Sequence, residues 1–193
     1  MAIDLPVRVN VSKGKCPMDE FTSFIVKYAS LKLGIKEDYC IRVNSNVPVA
    51  SGLKSNSAVA VGVTYALAMT TGVELSKIDV IRIAAEATKA HGSSITGAFD
   101  DASASLLGGI VLTDNRLMKL IKHINPPNDV VVIVTGFNEG KKTININALR
   151  SLSIIYHDLM HWVLEGKLWE SATINGIMVA KALGYAKQLR GLM

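Results

Sequence analysis

The chain of 193 residues carries only two cysteines, Cys16 and Cys40. That scarcity excludes a disulfide scaffold and a structural zinc site, whose ligands come in closely spaced pairs, so both are expected to be reduced thiols. Charged residues are also few, at 19%, but 49% of the chain is hydrophobic, which describes a foldable globular protein with ample core rather than a disordered one. No apolar run reaches the roughly 20 residues of a membrane span. The longest, Ala58 to Met69, is interrupted by Thr64 and Tyr65. The opening MAIDLPVRVNVSKGK lacks a basic region followed by an apolar block and a small-residue cleavage site, so no secretory signal is read and a cytoplasmic location is expected. A GxxxxGK[ST] phosphate loop and an HExxH zinc motif are both absent, and His91, His123, His157 and His161 read as surface histidines. The net charge of +5 permits anion or nucleic-acid binding. Because the basic residues are scattered and not interleaved with aromatics, no nucleic-acid surface is expected.

What is present has a clear order. LPVRVNV, Leu5 to Val11, alternates apolar and polar residues as a half-buried strand does, with a turn at 12–15. Asp19 or Glu20 opens a helix through Phe21, Phe24, Ile25, Ala29 and Leu31 that stops near Gly34. A second strand follows at Tyr39 to Asn44, then a loop with Pro48, Ser51 and Gly52, then a buried helix over Ser57 to Met69 closed by Gly72. Asp79 to Ala90 predicts another helix, and the small-residue stretch Ala98 to Leu107 leads through Gly108-Gly109 into a strand at Ile110 to Thr113. Past the rigid Asn125-Pro126-Pro127-Asn128 turn, taken as a subdomain boundary, the apolar run Val130 to Gly136 predicts a buried strand. Helical spacing returns from Asn147 with a break at Gly166, and the Met and Trp residues of these last helices read as core.

Three segments carry chemistry. Pro48 to Ala58 joins a strand to an apolar helix through small and hydroxyl residues. Gly52 allows close approach of the backbone to an anion, Ser51, Ser55 and Ser57 offer hydroxyls, the helix start offers unpaired N–H groups, and Lys54 adds a compact counter-charge. An ordinary serine N-cap explains the same composition about equally well. In Thr96-Gly-Ala-Phe-Asp-Asp101 two adjacent carboxylates can act as base or metal ligand, although capping of the next helix accounts for them more simply. Glu86 lies in the apolar helix IRIAAEATKA, where it can bind Mg²⁺, pair with Lys89, or face water.

Taken together, the serine-rich loop and the TGAFDD segment resemble the galactokinase, homoserine kinase, mevalonate kinase and phosphomevalonate kinase (GHMP) superfamily, most closely its archaeal-type shikimate kinase branch. The superfamily loop reads Pro-x-x-x-Gly-Leu-Gly-Ser-Ser-Ala. Here it is Gly-Leu-Lys-Ser-Asn-Ser-Ala, one residue longer, with Lys54 in place of a glycine, as in the archaeal branch. AIDLPVRVNVSKG and GAFDDASASLLGG extend the similarity across most of residues 2–113. The resemblance implies transfer of the ATP γ-phosphoryl group to a shikimate hydroxyl, giving shikimate 3-phosphate on the route to chorismate and the aromatic amino acids. It implies ATP and Mg²⁺ as cofactors and shikimate as the small-molecule partner. Nucleotide contacts would come from Pro48, Val49, Ala50, Ser51, Gly52, Leu53, Lys54, Ser55, Asn56, Ser57 and Ala58, metal contacts from Ser57 and Glu86, and the catalytic carboxylate from Asp101, with Asp100 as second choice.

The implied fold is a two-part α+β structure. Residues 1–125 would form an α/β sandwich like the second domain of a small-subunit ribosomal protein, and residues 130–193 an incomplete ferredoxin-like portion. Relatives carry a segment before the strand at residue 5 and a glycine-rich motif near their C-terminus, so the chain is expected to be shortened at both ends. Two other readings stay open. One is a GHMP kinase acting on homoserine or a mevalonate-type alcohol. The other is a non-enzymatic basic nucleic-acid-binding module, whose binding would fall steeply with salt and depend little on ATP.

Overall fold

The computed structural model describes residues 1–48, 52–133 and 145–190, apart from the side chains of residues 188 and 190. The chain divides into two compact units, Met1–Gly136 and Phe137–Met193. The first contains β1 (Val7–Lys13), α1 (Glu20–Leu33), β2 (Tyr39–Ser45), α2 (Ser55–Thr71), α3 (Lys77–Ala90), α4 (Phe99–Leu107), β3 (Ile110–Asp114) and β4 (Lys119–Ile124).

In β1 the alternation is obeyed: Val7, Val9 and Val11 turn inward while Arg8, Asn10 and Ser12 are exposed. The strand pairs antiparallel with β2 from Val7↔Ser45 to Lys13↔Tyr39. Asp19 caps α1 by accepting the Thr22 N–H at 2.9 Å. The helix stops at Gly34, whose left-handed φ of 68° lets the Ile35 N–H reach the Ser30 carbonyl at 2.9 Å.

α2 is apolar nearly all round, and a helix of that kind belongs inside. It packs against α1, α3, α4 and β1, with Ala60, Val63, Thr64 and Leu67 fully buried. The buried Thr64 hydroxyl is satisfied by donating to the Ala60 carbonyl at 2.8 Å. A Cβ on Gly62 would sit 2.8 Å from Val9 Cγ2, so this glycine is what lets α2 lie directly on β1. Around α2 the core is closed by Ile25 of α1, Ile81 of α3 and Phe99 of α4, all fully buried. Each such side chain contributes about 1.5–3 kcal/mol relative to exposure.

β4, which the sequence reading did not anticipate, pairs antiparallel with β3 from Ile110↔Ile124, with a register shift between Leu112 and Thr113. The second unit contains α5 (Ile146–Arg150), α6 (Ser153–Leu164), α7 (Leu168–Ala182) and α8 (Ala186–Arg190), with Leu159 and Val163 buried. The described residues thus form a mixed α/β structure with small two-stranded sheets. Among the described residues the second unit has no strand, so the sheet of a ferredoxin-like layer is not found there.

Several sequence expectations are corrected. Cys16 and Cys40 are not free thiols; they form a disulfide. The β1–β2 register sets Cys40 opposite Ser12, and the chain turns at Gly14, whose N–H donates to the Asp38 carbonyl at 2.8 Å, bringing Cys16 alongside. Such proximity is tertiary, across 24 residues of sequence, and leaves no local signal. Val130 to Ile133 form no strand; Val131 and Ile133 are each 83% exposed, and the rest of that run lies outside the described residues. A strand needs a partner for its N–H and C=O groups, and none pairs with these residues among those described. His91 is not a free surface histidine, since its ring packs edge-on against Phe21 and Phe24 with centroids 5.1 Å away in each case. Trp162 and Trp169 are not core but 37% and 47% exposed, with Lys167 Nζ lying over the Trp162 ring at 5.6 Å.

Candidate active site

Two helix starts face each other. α2 begins at Lys54, a residue held in the left-handed region at φ 61°, and among the described residues no side chain caps this end. The positive end of a 17-residue helix is thus joined to a lysine ammonium. The left-handed conformation costs a side-chain-bearing residue about 1–2 kcal/mol. A glycine at this position would be free of that cost.

α4 starts after Gly97 and Ala98, both left-handed at φ 87° and 49°. The buried Thr88 hydroxyl, 3.0 Å from the Gly97 carbonyl, pins this turn to α3. A Cβ on Gly97 would meet the Ala85 carbonyl oxygen at 2.8 Å, so the approach to α3 requires glycine. Consecutive helical residues point about 100° apart, so Asp100 and Asp101 serve different neighbours. Asp100 turns to Asn115, which follows β3. Asp101 turns to Lys54, whose Nζ is 3.1 Å from Oδ2.

Among the described residues this ammonium is the partner found for the enclosed Oδ2 atom. Burial holds the Asp101 carboxyl above the usual aspartate range. The neighbouring Asp100 pushes the same way, while Lys54 and the Met1 ammonium offset part of the rise. A carboxylate made more basic by its surroundings and aimed into a cleft is suited to accept a proton.

Lys54 and Asp101 open on a cleft of about 720 Å³. Its walls are residues 1–7, the turn at 52–54, and the facing sides of α2 and α4; its other ionisable side chains are Asp4 and Tyr65. The wall at 1–7 is a strap tied at both ends, by the Ala2 N–H to the Gly109 carbonyl at 2.8 Å and by the Asn46 N–H to the Pro6 carbonyl at 3.1 Å.

Of the sequence-derived candidates, the structure brings together Gly52, Leu53, Lys54, Ala58 and Asp101 around this cleft. Ser55 and Asn56 form the first turn of α2, and Pro48 follows β2. Val49, Ala50 and Ser51 lie outside the described residues. Ser57 is 5% exposed and does not line the cleft. Glu86 is engaged by α1: its carboxylate accepts from the Tyr28 hydroxyl at 3.2 Å and pairs with Lys32 Nζ at 2.8 Å. The sequence alternatives of Lys89 or open water are therefore replaced by Lys32, a partner on another helix. Among the described residues no cluster of three or more His, Cys, Asp or Glu side chains can hold a metal. The anion-binding part of the expectation fits the residues present, whereas Ser57 and Glu86 as arranged do not form a metal pair in the cleft.

Sequence reasoning missed Asn115 and Tyr65. Asn115 sits in the turn between β3 and β4, where asparagine is unremarkable, and its partner is 15 residues earlier. No helix of the described residues is long and apolar enough to cross a membrane.

Comparison with known proteins adds lineage to this geometry. Residues 21–109 match the GHMP kinases N terminal domain. A shikimate kinase of Methanothrix thermoacetophila is 38% identical over 143 residues, covering 74% of this chain and 50% of that protein. One of Pyrococcus furiosus is 34% identical over 161 residues, covering 82% and 57% respectively. The shikimate kinase of Thermoplasma acidophilum aligns with 100% of this chain and 70% of its own length at 30% identity. The chain spans about half the length of several of the curated relatives it matches. No solved structure matches it. A shared N-terminal domain and an alignment with the Thermoplasma protein that runs the whole length of the chain establish that the chain belongs to the archaeal shikimate kinase family of the GHMP kinases.

Proposed function

We propose that the chain acts as a shikimate kinase, transferring the γ-phosphoryl group of ATP to a shikimate hydroxyl to give shikimate 3-phosphate. In this reading residues 1–125 form the ATP-binding domain, residues 130–193 belong to the C-terminal kinase domain, and the protein works in the cytoplasm. The observation that carries it is the Lys54–Asp101 pair, held 3.1 Å apart where the start of α2 meets a cleft. A polyphosphate is drawn to the α2 N-terminus and the Lys54 ammonium. As it arrives, Lys54 has an anionic partner other than Asp101, and the carboxylate is released to face the acceptor.

The acceptor oxygen then attacks the γ-phosphorus while the bond from that phosphorus to the β,γ-bridging oxygen breaks. The hydroxyl proton passes to Asp101, and ADP leaves with the electron pair of the broken bond. Lys54 stabilises charge on the phosphoryl oxygens, and Asp101 orients the hydroxyl and takes its proton. Mg²⁺ arriving with ATP would supply charge neutralisation at the phosphates, where such an ion usually keeps several waters and takes one or two carboxylates from the protein. Glu86 joins it only if its carboxylate leaves Lys32 and Tyr28.

The test is to incubate the chain with Mg-ATP and shikimate and to look for shikimate phosphate by mass spectrometry, with homoserine and mevalonate as parallel acceptors and a full-length relative as control. Shikimate phosphate from this chain supports the reading. Phosphorylation of another acceptor in its place, or no product while the control turns over, counts against it.

A further inference from the structure

Asp100 is the better-held of the two adjacent carboxylates, and it does not line the cleft. Its backbone N–H donates to Asn115 Oδ1 at 3.0 Å, and Asn115 Nδ2 donates to its Oδ1 at 2.7 Å. The side-chain amide of Asn115 therefore grips the backbone and the side chain of one residue at once. The Thr113 hydroxyl also donates to Asn115 Oδ1, at 3.0 Å. With two donors on its oxygen and a carboxylate on its nitrogen, the amide has only one orientation that satisfies all three bonds.

The cap acts in trans. The Ala98 side chain at the head of α4 supplies no cap hydrogen bond, so the first turn of this helix takes its support from the β3–β4 turn. Rotation or sliding of that turn carries Asp101 with it, because the two aspartates are consecutive on nine residues of helix. A loose Asp100 carboxylate would, moreover, compete with Asp101 for Lys54.

We infer that Asn115 is a positioning residue for the reaction: by clamping Asp100 at two points it sets the first turn of α4 so that Asp101 alone faces Lys54 and the cleft. The inference rests on the kinase reading for its catalytic consequence, but the clamp itself does not.

The test uses the full chain with three changes: Asn115→Ala, Asn115→Asp, and Asn115→Asp combined with Asp100→Asn. Asn115→Asp keeps an acceptor for the backbone N–H but sets two carboxylates against each other, while the combined exchange restores a donor–acceptor pair with its direction reversed. Both single variants are expected to lose about 10–100-fold in kcat with KM for ATP and acceptor nearly unchanged, as an error in orientation requires. The combined exchange is expected to recover most of the loss. Hydrogen exchange supplies a readout independent of turnover: protection of the Asp100 amide falls in Asn115→Ala and returns in the exchanged pair, while amides of α2 and α3 keep theirs. Full kcat in the single variants, or an exchanged pair no better than Asn115→Asp alone, overturns the positioning role. Unchanged protection of the Asp100 amide in Asn115→Ala overturns the clamp, and loss of protection throughout the first unit shows a general structural role in its place. A wild-type chain that phosphorylates no acceptor sinks the kinase reading separately and leaves the exchange measurement to decide the clamp.

Discussion

At Lys54 the backbone and the side chain pull in opposite directions, and two substitutions separate them. Lys54→Met removes the ammonium and keeps a side chain in the left-handed region at φ 61°; Lys54→Gly removes both. Relief of left-handed strain is worth about 1–2 kcal/mol, and glycine returns about 0.5–1 kcal/mol of that through the extra freedom of the unfolded chain. Lys54→Gly is therefore expected to be more stable than Lys54→Met by about 0.5–1 kcal/mol. The ion pair to Asp101 is lost from both and cancels in the comparison. It is in any case weakened by solvent, with the Lys54 side chain 60% exposed. With a urea slope of about 2 kcal/mol/M the midpoints should differ by roughly 0.25–0.5 M. Turnover should follow charge rather than stability: both variants are expected to lose about 10²–10³-fold in kcat, the scale for removing one stabilising group from the transferring oxygens. Equal midpoints would refute the strain argument. A Lys54→Gly variant with wild-type kcat would refute the role of the ammonium.

Asp101→Asn is expected to lower kcat by about 10²–10⁴-fold, the usual weight of a general base, while ATP affinity stays near wild type. It should also raise the melting temperature at neutral pH. Burial first, and Asp100 second, lift the folded-state pKa above the ordinary aspartate value, so the folded protein holds this proton more tightly than the unfolded chain. The resulting stability is present below the unfolded pKa and is lost as pH rises through the folded one, so the ionised carboxylate is a cost at pH 7. For the same reason the acid limb of the wild-type kcat/KM profile, which reports the free enzyme, should lie above the ordinary aspartate range. A lower melting temperature for the variant, or an acid limb at an ordinary aspartate value, contradicts this. The Cys16–Cys40 bridge closes a loop of 24 residues separation, for which chain entropy gives about 3.5 kcal/mol. Cys40→Ser should forfeit most of it in urea unfolding and leave kcat intact, and wild-type protein insensitive to reductant would show that the two sulfurs are not joined.

Much of the first unit was legible in the sequence because its signals are local. Period two in Leu5 to Val11, the Asp19 cap with Gly34 at the far end, and the apolar run after Ser57 each state their structure within one or two turns of chain. The loop and the TGAFDD segment were legible only as a pair, through the family resemblance they carry together, because the local composition of each is explained as well by helix capping. The described part of the next apolar run, Val130 to Ile133, misled for the opposite reason: hydrophobicity announces burial, but strand formation depends on a partner that only the fold can bring.

The family, the glycine-bearing loop and the two candidate carboxylates are written in the residue pattern. Packing between elements settles which carboxylate meets Lys54, that Glu86 is held by Tyr28 and Lys32, that Asn115 grips Asp100, and that Cys16 and Cys40 meet. The reason is common to all four. Each contact joins residues on different elements, so it depends on how helices and strands are set against one another, and a one-dimensional pattern records what each residue can do but not which partner it will find.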